Sequence, residues 1–184
     1  MKQKTIQSTF TLNGIGIHSG KQISLTFKPS QSGSIQFIDA KNNSLTVSPK
    51  TSAKTHHRAT QLESETLKIL TPEHLLAACA ALHITSLDIH ISGNEVPIFD
   101  GSAQLIMTEL QKAGIDELEL PKIEPIFIQK TQTFWHNDSC IIIAPAPQTM
   151  FSYYLSYDHP VIGSQSASIT LDDNSFFNKL KYDN

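Results

Sequence analysis

The sequence predicts an α+β fold built in two units, and three observations carry that expectation. The first fifty residues alternate apolar and polar side chains, as short antiparallel strands do. A helix apolar on nearly every face, "ILTPEHLLAACAALHI" at 69–84, interrupts them. Beyond "DELELPKIEP" at 116–125 the strand patterns restart with barely a helix among them. That break places a boundary near residues 115–124 and divides the chain into 1–121 and 122–184.

Each element has a local reason. Thr5–Leu12 reads as one strand with Ile6, Phe10 and Leu12 on one face, and Asn13-Gly14 reads as a hairpin turn. Ile23, Leu25 and Phe27 then alternate again, followed by runs at Ser34–Phe37 and Leu45–Val47. The apolar helix takes Thr71 as N-cap and Pro72 as its first residue. Leu75, Leu76, Cys79 and Leu82 form one side, and Ala77, Ala78, Ala80 and Ala81 leave no polar face, so it is expected to be covered all round. Strand Ser86–Ile91 follows, then a second helix over Ala103–Ala113 capped by Ser102 and stopped by Gly114. In the second unit Ile126–Ile128, Thr131–Trp135, Ile141–Ile143 and Ser152–Tyr157 read as strands. "SASITLDDNSFFNKL" adds one more strand and the start of a helix.

Bulk properties narrow the function classes. At 184 residues and 39% hydrophobic content the chain can bury one sizeable core or slightly more. A net charge of −3 with 14 scattered basic residues argues against nucleic-acid binding. No run approaches the ~18 apolar residues of a membrane span. "MKQKTIQSTF" lacks an apolar signal core, so the expected location is the cytoplasm. Cys79 and Cys140 are isolated and do not suggest a disulfide framework.

Why should an apolar helix open with Glu73 and His74? The positive helix end suits a carboxylate and a neutral imidazole. Neutral imidazole is a metal ligand, and a carboxylate beside metal-bound water is a general base. The alternative is that Glu73 only complements the dipole while His74 packs at a layer edge. "LNGIGIHSGK" is no nucleotide loop, because Ser19, Ile15 and Gln22 stand where the dinucleotide and P-loop patterns need Gly, Gly and Ser/Thr. Its glycines fit hairpin geometry and leave His18 at the turn. His56-His57-Arg58 is the densest ligand-like spot, but neighbours on a strand face opposite ways. Asp100 precedes the second helix and is expected to cap it.

Four stretches together carry more than any one. "GIGIHSG" at 14–20, "TPEHLLAA" at 71–78, "NEVPIFDGSA" at 94–103 and "YDHP" at 157–160 stand in the order and spacing of one family. The chain resembles the UDP-3-O-acyl-N-acetylglucosamine deacetylases (LpxC family), zinc amidases of lipid A biosynthesis. The resemblance implies two α+β domains, each layering helices on a sheet, with the active site between them. It implies Glu73 as general base, His74 as a zinc ligand, Zn²⁺ as cofactor and a UDP-linked acylated N-acetylglucosamine as substrate. It places His56, His57 and Arg58 in a small insert beside the active site with no catalytic role, leaves the role of His18 open, and makes the stretch around His159 structural and not a ligand position; His136 also lies in the second unit.

The remaining ligands of the family lie in a His-Lys-x-x-Asp-x-x-Gly-Asp motif, followed by a histidine acid, and this sequence holds neither. The resemblance therefore implies an incomplete second domain. The chain is expected to be part of a longer enzyme, with a complementing C-terminal chain as one possibility, or else an inactive relative with a binding or regulatory role.

Overall fold

The computed structural model describes residues 1–51 and 59–170. It divides into two compact units, Met1–Ile123 and a second beginning at Glu124. Strands and helices mix in the first, so the chain is α+β.

The first unit runs β1 (Lys4–Ile6), β2 (Phe10–Ile15), β3 (Gln22–Pro29), β4 (Ile35–Ile38) and β5 (Ser44–Thr46). After a 3-10 turn at Pro49–Thr51 come β6 (Gln61–Glu63), β7 (Lys68–Leu70), α1 (Glu73–Ala81), β8 (Leu87–Ile91), α2 (Gln104–Lys112) and β9 (Ile115–Glu117). Five strands form the main sheet in the order β2-β3-β8-β4-β5. Its inward face carries Ile23, Leu25, Phe27, Phe37, Leu45, Leu87, Ile89 and Ile91, all at most 3% exposed. Leu75, Ala78 and Cys79 of α1 and Ile106 and Leu110 of α2 bury alongside them, and the two helices pack on each other. Phe10 stacks on Phe27 with ring centres 4.5 Å apart, extending the core under β2.

Three expectations change here. The early strands do not form one antiparallel run: β8 inserts between β3 and β4 and pairs with β4 in parallel. Leu87, Ile89 and Ile91 bury completely on one face, which suits a central position that alternation alone does not reveal. Thr5–Leu12 breaks at residues 7–9, because β1 leaves to pair with β9 while β2 joins the main sheet. And α1 is not covered all round: Leu75, Ala78, Cys79 and Leu82 bury, whereas Ala80 is exposed and Leu76 and Ala77 are half-buried. An alanine face loses little by meeting water, so apolar composition there did not imply burial. Burial pushes the Cys79 thiol up to about 12, which makes it an inert core residue.

The ends of the first unit meet. The Met1 amine donates to the Ile123 carbonyl at 2.8 Å, and Gln3 Nε2 donates to Pro121 at 2.9 Å. Gly114, with φ +78°, turns the chain from α2 into β9 as its helix-stop position requires.

The second unit is described by itself. It holds two separate antiparallel hairpins, β10–β11 (Gln132–His136 with Ser139–Ile143) and β12–β13 (Met150–Ser156 with Ser164–Thr170). Ile126–Ile128 is no strand; it has no pairing partner among the described residues, and Ile126 is 90% exposed. Pro125 just before it lacks the amide a ladder needs. The helix expected after Thr170 lies outside the described residues.

Candidate functional site

Thr71 to His74 sets the geometry of the first turn of α1. Thr71 was expected to cap the helix, and it does not: Pro72 takes the cap position with no side-chain bond to the turn. Thr71 instead adopts φ +52°, a strained region for a β-branched residue. Its hydroxyl is a donor here, bonding the Val96 carbonyl at 2.9 Å, and its amide donates to Thr60 at 2.9 Å. Those bonds hold the strain and fix where Glu73 and His74 begin. Both are half-buried. Glu73 Oε2 is buried and has no hydrogen-bond partner among the described residues. A carboxylate oxygen left unpaired in a folded core is costly unless something polar or cationic answers it.

The segment 94–98 lies against this entry. Leu70 N donates to Asn94 O at 2.8 Å, and Val96 N donates to Leu70 O at 2.9 Å. On the other side Ile98 N donates to Ile15 O at 3.1 Å. Between them Glu95, 2% exposed, turns its carboxylate to the β2–β3 turn. Oε1 accepts from the His18 amide and Oε2 from the Ser19 amide, both at 2.8 Å. Hydrogen bonds to a charged group of this kind contribute about 1.5–3 kcal/mol each.

This arrangement explains the glycines. The hairpin turn is not at Asn13-Gly14, which lies inside β2, but at residues 16–21, closed by Gly16 N to Lys21 O at 3.0 Å and Gly20 N to Gly16 O at 2.9 Å. Gly14 in β2 faces Pro97 and Phe99, and Gly16, just past the strand, faces Glu95. A Cβ at Gly14 would stand 2.8 Å from Pro97 and 2.9 Å from the Phe99 ring. One at Gly16 would overlap the Glu95 carboxylate and the Ser19 hydroxyl. The outward alternates, Ile15 and Ile17, stay exposed, and so does His18 at the turn. Three of the four motifs thus meet at one place. Sequence reasoning missed Glu95 because its partners lie 76 and 77 positions away.

Burial pushes the Glu95 carboxyl up, but bonds from Ser19 and the His18 amide outweigh it and hold the group below its ordinary value. A carboxylate depressed in the fold stabilises above its unfolded value of about 4.5 and loses that contribution as pH falls through the lowered one. The unfolding midpoint of the parent should therefore fall more steeply below about pH 4.5 than that of Glu95→Gln. Parallel decline of the two in thermal melts would remove the ionised clamp.

The other candidates separate from this place. Asp100 does not cap α2; its Oδ1 accepts from the Ser102 amide and hydroxyl, and Ser102 Oγ in turn accepts from Gln104 N at 3.1 Å. The carboxylate shapes the loop one step before the helix. His56, His57 and Arg58 lie outside the described residues. His136 sits opposite Ser139 at the end of a hairpin. His159 Nδ1 accepts from the Val161 and Ile162 amides at 3.2 and 3.3 Å, so it organises a turn. No group of three His, Cys, Asp or Glu side chains is gathered among the described residues.

The family model "LpxC: UDP-3-O-acyl N-acetylglycosamine deacetylase" matches residues 3–182. The chain belongs to the LpxC family. Curated relatives bearing the name UDP-3-O-acyl-N-acetylglucosamine deacetylase agree. The protein of Sulfurovum sp. (strain NBC37-1) is 33% identical over 182 residues, covering 98% of this chain and 61% of that protein. That of Oleidesulfovibrio alaskensis is 36% identical over 180 residues, covering 96% and 58%. That of Nautilia profundicola is 33% identical over 182 residues, covering 98% and 62%. This LpxC-family chain therefore spans about three-fifths of the length of those relatives.

Proposed function

We propose that the protein to which this chain belongs hydrolyses the N-acetyl group of a UDP-linked, 3-O-acylated N-acetylglucosamine, in the cytoplasm, for lipid A synthesis. The observation that carries the reading is the first turn of α1: Glu73, whose buried Oε2 has no hydrogen-bond partner among the described residues, is followed in sequence by His74, in a chain of the LpxC family. That pair fits part of a zinc site. His74 supplies one nitrogen, and the orphaned Glu73 oxygen suits a proton-bearing ligand next to it. A catalytic zinc usually takes three protein ligands, so two more come from outside the described residues. They would belong to a continuation of the chain or a complementing one.

Zinc, when bound, polarises the amide carbonyl and acidifies the attacking water. Glu73 accepts the proton of that water as its oxygen adds to the carbonyl carbon. The C–N bond then breaks, acetate leaves, and the amine takes a proton from an acid that the resemblance places beyond these residues. His74, on the first turn of α1, would supply its nitrogen to the metal while Glu73 moves the proton.

The test is turnover of the UDP-sugar and zinc per chain, for this 184-residue chain and for one continued to the length of its relatives. The longer protein should hold zinc and release acetate, and the shorter one should do neither beyond the level of surface histidines. Acetate release by neither overturns the reading.

A further inference from the structure

The turn at residues 16–20 combines two features that rarely coincide: exposed side chains and a buried ionic anchor. Ile17 is 60% exposed and His18 and Ser19 are exposed too, yet their backbone is held from beneath by Glu95. Exposed hairpin tips are ordinarily free to fray. Here a fully buried carboxylate is spent on holding one still. The anchor is also cross-linked, since the backbone on either side of Glu95 bonds Leu70 and, through Val96 O, Thr71. Leu70 and Thr71 lead straight into Glu73 and His74. Gly16 leaves the space that the carboxylate fills, so the motif at 14–20 is shaped to receive it.

We infer that Glu95 is a positioning residue: it braces the Ile17–His18 turn to the entry of α1, so that the turn stands as a fixed substrate-facing wall beside the Glu73–His74 pair. Glu95 touches no reacting atom. It acts through the backbone of residues 18 and 19, by removing the freedom the turn would otherwise lose on binding. This inference rests on the deacetylase reading for what the wall faces, while the brace itself stands without it.

Two measurements separate those parts. In the 184-residue chain, hydrogen exchange at the His18 and Ser19 amides should speed up roughly 10- to 100-fold in Glu95→Gln. Protection at Leu25 and Phe27 of β3 should stay as in the parent. Gly16→Ala, which displaces the carboxylate from the other side, should do the same while keeping Glu95. Unchanged protection at residues 18 and 19 in either folded variant overturns the brace. In the longer enzyme both variants should raise KM by roughly tenfold and lower kcat less, with zinc per chain at the parent level. Loosened amides with unchanged KM would make the turn merely structural and overturn the inference. Acetate release by the parent longer enzyme is measured alongside: if it releases none, the deacetylase reading falls, and the exchange result still decides the brace.

Discussion

Glu73→Ala, in a chain continued to the length of its relatives, is expected to lose ~10²–10⁴-fold in turnover while keeping its zinc. The carboxylate is no ligand in this reading; its removal deletes the proton acceptor and leaves His74 and the rest of the donor set in place. Its stability should hold or rise, because Oε2 has no partner among the described residues to lose. Groups that serve catalysis are often the ones a fold tolerates at a cost. His74→Ala should behave differently, with zinc content falling first and turnover with it, since one of about three ligands is gone. Acetate release and metal analysis on the same samples check both. Parental turnover in Glu73→Ala would return the pair to the plainer role, a dipole-complementing glutamate beside a packed histidine.

How far was this legible beforehand? The elements that depend on neighbours in sequence were. Gly114 ends α2, and the strand through Leu87, Ile89 and Ile91 appears within one residue of its expected start. What alternation cannot supply is partnership. It gave no sign that β8 would sit between β3 and β4, or that β1 would leave β2 for β9. Side-chain capping failed for a related reason. Thr71, Asp100 and Ser102 all have capping chemistry, but long-range bonds and loop closure took Thr71 and Asp100 away from their helices. The candidate pair Glu73–His74 was visible as an oddity of composition. Glu95 was not, although a faint signal exists: Gly14 and Gly16 alternate as Glu95, Pro97 and Phe99 do, and small residues on one segment admit large ones from another. The turn misassigned to Asn13-Gly14 hid it, because a glycine kept for close approach looks the same as one kept for a turn.

The second unit makes the other large prediction. Its hairpins β10–β11 and β12–β13 are each only two strands wide, with no third strand or helix paired to either among the described residues. Isolated hairpins of that size are marginal in water. Both faces are apolar and open: Trp135 is 71% exposed, and Ile141 and Ile142, which point opposite ways, are each 65% exposed. Each hairpin also offers two unpaired edges to other chains. The 184-residue chain should therefore bind ANS strongly and self-associate as its concentration rises. The first unit needs no such cover, since its termini close on each other through Met1, Gln3, Pro121 and Ile123. A chain ending at Ile123 should stay monomeric, bind little dye and melt in one transition. Ending at Pro121 instead removes the carbonyl that the Met1 amine holds, so its midpoint should lie slightly lower. Light scattering, ANS fluorescence and thermal melts on the three lengths give the answer. A 184-residue chain that stays monomeric, melts cooperatively and ignores ANS would mean that the faces of these hairpins find cover within the chain itself.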